Sequence, residues 1–171
     1  MHIALYKPDI PQNTAAIIRL SACLNLKIHI IEPCGFDLHD ARFKRVVMDY
    51  LGFSKIFRYE DYDKFLSKNK KKRIVLMTTR AKKNYHRFIF KKNDILLFGR
   101  ESAGVPESLH KTIRNKVKVP INKKSLRFTF FSSLLINVCV YNIFNYLNYV
   151  FKYSRVRMTH KLSNNNAHSS I

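Results

Sequence analysis

Short apolar runs alternate with polar, helix-like segments through the first two thirds of the chain. His2–Tyr6 is β-branched and aromatic and reads as a strand, and Pro8 and Pro11 bracket the loop after it. Asn13 or Thr14 is placed to cap the next helix, whose apolar side carries Ile17, Ile18, Cys23 and Leu24. Lys27–Ile31 predicts a second strand, stopped by Pro33 and Gly35. Helices are predicted over residues 40–50 and Tyr62–Lys68. Further strands are predicted over residues 55–58, 73–79, 95–99 and 117–120. A β-α-β-α-β order implies an α/β fold with crossover helices on a parallel sheet. The runs "IVLM" and "ILLF" suit strands covered on both faces.

Residues 128–151 break this rhythm, with no formal charge between Arg127 and Lys152. The segment is long enough to span a bilayer. Yet Asn137, Asn142, Asn145 and Asn148 would fall within an arc of about 140° on a helix. A polar stripe with a broad apolar face fits a buried or interface helix better than one surrounded by lipid. Residues 154–171 are polar and basic and read as a disordered tail after a domain of residues 1–153. The run at residues 68–73 reads as a solvated face. Residues 1–6 are too short and lack the flanks of a signal peptide.

Charge changes the picture most. The 171 residues hold 32 Lys and Arg against 11 Asp and Glu, a net +21. Such an excess points to a polyanionic partner, nucleic acid before a membrane surface. Cys23, Cys34 and Cys139 are odd in number and form no CxxC pair, which argues against disulfides and zinc. Free thiols suit a reducing cytoplasm. The histidines show no ligand spacing, and "GRESAG" lacks the end of a phosphate loop.

Three stretches carry more specific information: "LYKPDIPQNTAAIIRL" from residue 5, "HIIEPCGF" from residue 29 with "RFKRVVMDY" after it, and "LLFGRESAGVP" from residue 96. Together, in this order and spacing, they resemble the TrmL/YibK branch of the SPOUT methyltransferases, from residue 1 to about residue 121. The resemblance implies a parallel α/β sheet closed by a C-terminal trefoil knot. It also implies a cytoplasmic homodimer. The implied reaction is S-adenosylmethionine-dependent methylation of a ribose 2′-oxygen. The target would be the wobble nucleotide, cytidine or carboxymethylaminomethyluridine, of leucine tRNAs.

The same resemblance nominates residues. Arg19 matches the arginine of the first motif and would position the target phosphate or ribose; arginine is very hard to deprotonate, so it makes a poor base. Asn13 would organise the active-site loop, besides serving as a cap. Glu101 would hold the second loop or pair with Arg19. Gly99 would let backbone approach the adenosine, and Gly104 would serve the turn. Met77 and Val119 would line the cofactor pocket. No metal is expected.

Some positions depart from the family. Ala15 stands where the family has glycine, and would strain the loop by about 1 kcal/mol if that glycine had positive φ. Val47 also replaces a smaller residue. The third motif, Arg-Ser-Leu-Asn or Arg-Ser-Met-Asn in the family, has no clean match; Arg127, Thr129, Ser132 and Ser133 are the nearest substitutes. A catalytically inactive tRNA-binding protein of the same fold is therefore the alternative reading.

Overall fold

The computed structural model describes residues 1–47, 50–53 and 55–120. The expected knot, the third motif, the helix of residues 128–151 and the tail of residues 154–171 lie outside the described residues.

The described chain runs β1 (His2–Tyr6), α1 (Pro11–Cys23), β2 (Lys27–Ile31), α2 (Ala41–Val47), α3 (Tyr50–Phe53), β3 (Lys55–Tyr59), α4 (Tyr62–Lys68), β4 (Ile74–Met77), β5 (Ile95–Phe98), α5 (Glu107–Thr112) and β6 (Asn115–Val117). A single 3-10 turn, Tyr85–Arg87, lies between β4 and β5. All strand pairs are parallel, in the order β3-β2-β1-β5-β4-β6. The expected strands are all present. The last sits earlier than expected, at Asn115–Val117, because it pairs with β4 through Val75–Asn115 and Met77–Val117. The helix expected over residues 40–50 is represented by α2 and α3.

Both sheet faces are covered, which explains the continuous apolar runs. Ile3, Leu5, Ile28, Ile30, Leu96 and Phe98 face one layer, packed with Ile17 and Ile18 of α1 and Phe43 and Val47 of α2. Ala4, Tyr6, Ile31, Ile95 and Leu97 face the other, with Phe65 of α4 and Ile113 after α5. Phe65 is fully buried, a contribution on the order of 2–3 kcal/mol. Asp61 caps α4 by accepting from the Lys64 N–H at 2.7 Å.

Helix α1 begins two residues before the expected cap. Pro11 occupies its first turn and Ile10 is the N-cap, so Asn13 lies inside the helix rather than at its cap. Proline explains the shift, since its missing N–H and fixed φ suit a first helical position. Thr14 is also inside, with its hydroxyl donating to the Ile10 carbonyl at 3.3 Å. Ala15 sits fully buried in the same helix. Among the described residues, the non-glycine positions with positive φ are Lys7 and Asn25. The expected strain at Ala15 is therefore absent: a helical position suits alanine better than glycine. Val47 is fully buried in the first apolar layer.

Charge is distributed by sheet end. Acidic residues gather where strands run out: Asp9 after β1, Glu32, Asp37 and Asp40 after β2, Glu60, Asp61 and Asp63 after β3, and Glu101 and Glu107 after β5. Several stand at helix starts, where the dipole favours them. The opposite end, where strands begin, carries Asp94 and many cations.

Candidate active site at the carboxyl end of the sheet

In open α/β sheets, ligands bind beyond the carboxyl ends of strands, where connections diverge. Here that point lies between the adjacent strands β1 and β5. The chain leaves β1 through residues 7–10 into α1, and leaves β5 through residues 99–106 into α5. Lys7 turns the first loop with φ 46°, and its N–H donates to the Ile31 carbonyl at 2.8 Å. Such backbone is sparsely populated away from glycine and concentrates at functional sites.

The two loops clasp one another. The Asp9 N–H donates to Glu101 Oε2 at 3.0 Å, and the Glu101 N–H donates back to Asp9 Oδ1 at 3.2 Å. Asn13 Nδ2 donates to Glu101 Oε1 at 3.2 Å. The Ser102 hydroxyl donates to Asp9 Oδ2, and Arg100 Nε stands 3.6 Å from that oxygen. Hydrogen bonding with Glu101, then with Ser102, holds the Asp9 carboxyl below the usual carboxylate range. Burial, then the bond with Asp9, pushes Glu101 up.

Two glycines make the second loop possible. A Cβ on Gly99 would meet the Gly104 backbone at 2.5 Å, so the chain passes too close for any side chain. Gly104 has φ +69°, a left-handed turn that favours glycine. Arg100 and Gly104 exchange backbone hydrogen bonds at 3.0 and 2.8 Å, closing the turn.

Asn13, Glu101, Gly99 and Gly104 are thus brought together. Arg19 is not with them. It lies six residues beyond Asn13, about 120° around the helix, and its Nη1 donates to the Val46 carbonyl at 2.8 Å. No Arg19–Glu101 ion pair is present among the described residues; Glu101 uses its oxygens on the Asp9 and Asn13 donors instead. Met77 ends β4 beside Phe98, and Val119 follows β6; both are half-buried. Beside them, Asn84 pairs as a bridge with Lys118, and its Oδ1 is buried without a hydrogen-bond partner. Two half-buried apolar residues and an orphaned acceptor fit a flat heterocycle with an amino donor, as in adenosine. Among the described residues, no group of three His, Cys, Asp or Glu could hold a metal ion.

Sequence reasoning missed Asp9 and Ser102, whose partners stand 92 and 93 positions away. It also missed a buried pair beneath α4. His2 Nδ1 and His29 Nε2 are 2.8 Å apart, and His29 Nδ1 is 2.8 Å from the Tyr59 hydroxyl. The signal lay in strand alternation: His2 and His29 point to one face of neighbouring strands.

Known proteins match this chain closely. The model of the SpoU rRNA Methylase family matches residues 1–127. A tRNA (cytidine(34)-2′-O)-methyltransferase of Ancylobacter novellus is 42% identical over 123 residues, covering 71% of this chain and 78% of that protein. The protein of the same name from Escherichia coli strain K12 is 34% identical over 151 residues, covering 87% and 95%. A solved structure described as giving insights into 2-OH methylation of C/U34 on tRNA superposes with a TM-score of 0.77. It is 29% identical and covers 86% of this chain and 95% of its own.

Proposed function

The chain belongs to the SpoU rRNA methylase family, and on that footing we propose that it methylates the ribose 2′-oxygen of nucleotide 34 in tRNA. The observation that carries this reading is the clasp of Asp9, Asn13 and Glu101, which joins two site loops beside the strand ends. Two similar relatives bear the name tRNA (cytidine(34)-2′-O)-methyltransferase, and nothing in the comparisons favours an inactive protein. The match to the Escherichia coli protein extends over 151 residues, so it runs past the residues that the family model covers.

When bound, S-adenosylmethionine supplies a methyl group on a sulfonium, an already activated leaving group. With the methyl already activated in this way, the work left to the chain would lie at the accepting ribose 2′-hydroxyl, whose proton would pass to water. The chain must therefore orient an oxygen and stabilise its developing charge. Met77, Val119 and the backbone of Gly99–Gly104 would hold the cofactor. Arg19 has five N–H donors, of which Val46 takes one; the remainder suit the phosphate or ribose of the target. Asn13 and Glu101 fix the substrate-side helix against the cofactor-side loop, so that both reactants share one frame.

The narrower readings belong to the same proposal: leucine tRNAs with cytidine or a modified uridine at position 34, a knotted C-terminal segment, a homodimer, and a cytoplasmic setting. Support for them comes from the resemblance of the three motifs. No helix among the described residues is long and apolar enough to cross a membrane.

Labelled S-adenosylmethionine and a leucine tRNA transcript test the proposal. Label should enter the transcript, and a 2′-deoxy nucleotide at position 34 should abolish it. Incorporation that survives the deoxy substitution would reassign the target. Sedimentation of the purified chain would reveal a dimer or refute it.

A further inference from the structure

Six parallel strands begin at one edge of the sheet, β1 to β5 level with one another and β6 one residue further in. His2 pairs with both Lys27 and Ile95, Lys27 with Lys55, and Ile74 with Ile95. Five strand spacings of roughly 4.8 Å make this edge about 24 Å long. Lys27 and Lys55 open β2 and β3, Arg73 and Arg114 directly precede β4 and β6, and the connections entering β4 and β5 carry Lys70, Lys71 and Lys92. Lys27, Lys55, Lys70, Lys71, Lys92 and Arg114 are all exposed there.

The carboxylate of Asp94 serves Arg73 and the amino terminus of Met1 rather than the exposed lysines. It is 1% exposed and held by Arg73 through bonds of 2.6 and 2.8 Å. Repulsion among cations adds to the effect of burial inside the edge. Burial and then Lys72 depress the His2 ring, and burial and then Lys27 lower the Lys72 ammonium. The reacting edge, by contrast, carries both signs, with Asp9, Glu32, Glu101 and Glu107 among its cations. A lysine-rich composition would raise both edges alike. Helix dipoles account for cations such as Lys68 at the end of α4, but Lys92 follows no helix.

We propose that this edge is a second binding surface for RNA, gripping the phosphate backbone of structured RNA at the end of the sheet opposite the reacting loops. It rests on the reading of tRNA as substrate only in naming which RNA is held. Phosphate contacts of this kind fix position without reading bases. They would let the chain hold a limb of the molecule distant from the nucleotide it modifies. An edge of one sign and about 24 Å spans several phosphates, which are spaced at roughly 3.4 Å along a helical strand.

The test uses the full chain with leucine tRNA, an unrelated duplex RNA, and vesicles of phosphatidylserine. Lysines are acylated briefly with and without each ligand and read by peptide mass spectrometry. RNA should protect Lys70, Lys71 and Lys92 while Lys44 and Lys64 stay reactive. The variant K70Q/K71Q/K92Q should bind RNA about fivefold or more weakly. Its plot of log affinity against log salt should be shallower by about 2 to 3, close to one unit per lost contact. Its affinity for S-adenosylmethionine should not change. Unchanged acylation of the three lysines in bound RNA, or an unchanged salt slope, would overturn the proposal. Protection by vesicles but by neither RNA would overturn it in favour of a membrane surface. Protection by duplex RNA without tRNA binding would leave this edge standing and sink the proposed substrate.

Discussion

Glu101 joins loops that lie 88 to 92 positions apart by accepting from Asn13 and Asp9 with different oxygens. Glutamine keeps the shape but offers one acceptor and turns an amide donor toward another donor. Glu101→Gln should therefore lower the methyl-transfer rate about 10- to 100-fold, since small misplacements of reacting groups cost that much. Initial rates at saturating cofactor would measure it; a rate within twofold of the parent would contradict the clasp. At Gly99 the constraint is steric, because a Cβ would sit 2.5 Å from the Gly104 backbone. Gly99→Ala should cost about 1–3 kcal/mol in denaturant unfolding, as overpacked sites do. Ala15 tests the corrected expectation. As a buried helical residue it should be better than glycine, and Ala15→Gly should destabilise by about 1 kcal/mol. A stabilised variant would restore the idea of a strained loop. At this scale the motif glycines and Glu101 were legible in sequence. Asp9 was not, because nothing local shows that its partners come from the other loop.

Elements were legible where their apolar period was clear. β1, β2 and α4 have the expected bounds, and β4 and β5 fall inside the expected segments. α5 and the 3-10 turn at Tyr85–Arg87 were not foreseen, being short and polar on most positions. The start of α1 was displaced by Pro11, whose preference for the first turn outweighed the capping preference of Asn13. The pairing of β1 with β2 has an energetic consequence of its own. Lys72 Nζ stands 3.3 Å from His2 Nδ1, which must therefore accept; His29 Nε2–H then donates to His2 Nδ1, and His29 Nδ1 accepts from the Tyr59 hydroxyl. Both rings are held neutral: burial lowers His2 to about 3 and His29 to about 4. Depressed values mean that the unfolded chain binds protons more readily than the native one. The stabilisation is thus complete above the ordinary histidine value of about 6.5 and is lost as pH falls toward 4. The unfolding free energy from denaturant titrations should fall across that window, by on the order of 3 kcal/mol for each ring. The double variant His2→Phe/His29→Phe should flatten the dependence; an equally steep profile would show that other groups cause it.

The whole molecule follows from one topological choice. Because every described strand pair is parallel, all strands finish at one edge and all begin at the other. Crossover connections then place the loops after β1 and β5 side by side, and the proposed reacting groups with them. Parallel pairing was legible from doubly buried strands alternating with helices. The strand order was not, since β5 inserts between β1 and β4 through pairings that local patterns do not encode. Excess charge was legible as a sum, but its separation by sheet edge needed the topology. The central claim is that this fold transfers a methyl group to one ribose oxygen of tRNA. Mass spectrometry of the anticodon-loop fragment, after reaction with S-adenosylmethionine, tests it most directly. The account predicts a single added methyl, located on the ribose of nucleotide 34. A folded chain that binds tRNA and S-adenosylmethionine but leaves the fragment mass unchanged would contradict it.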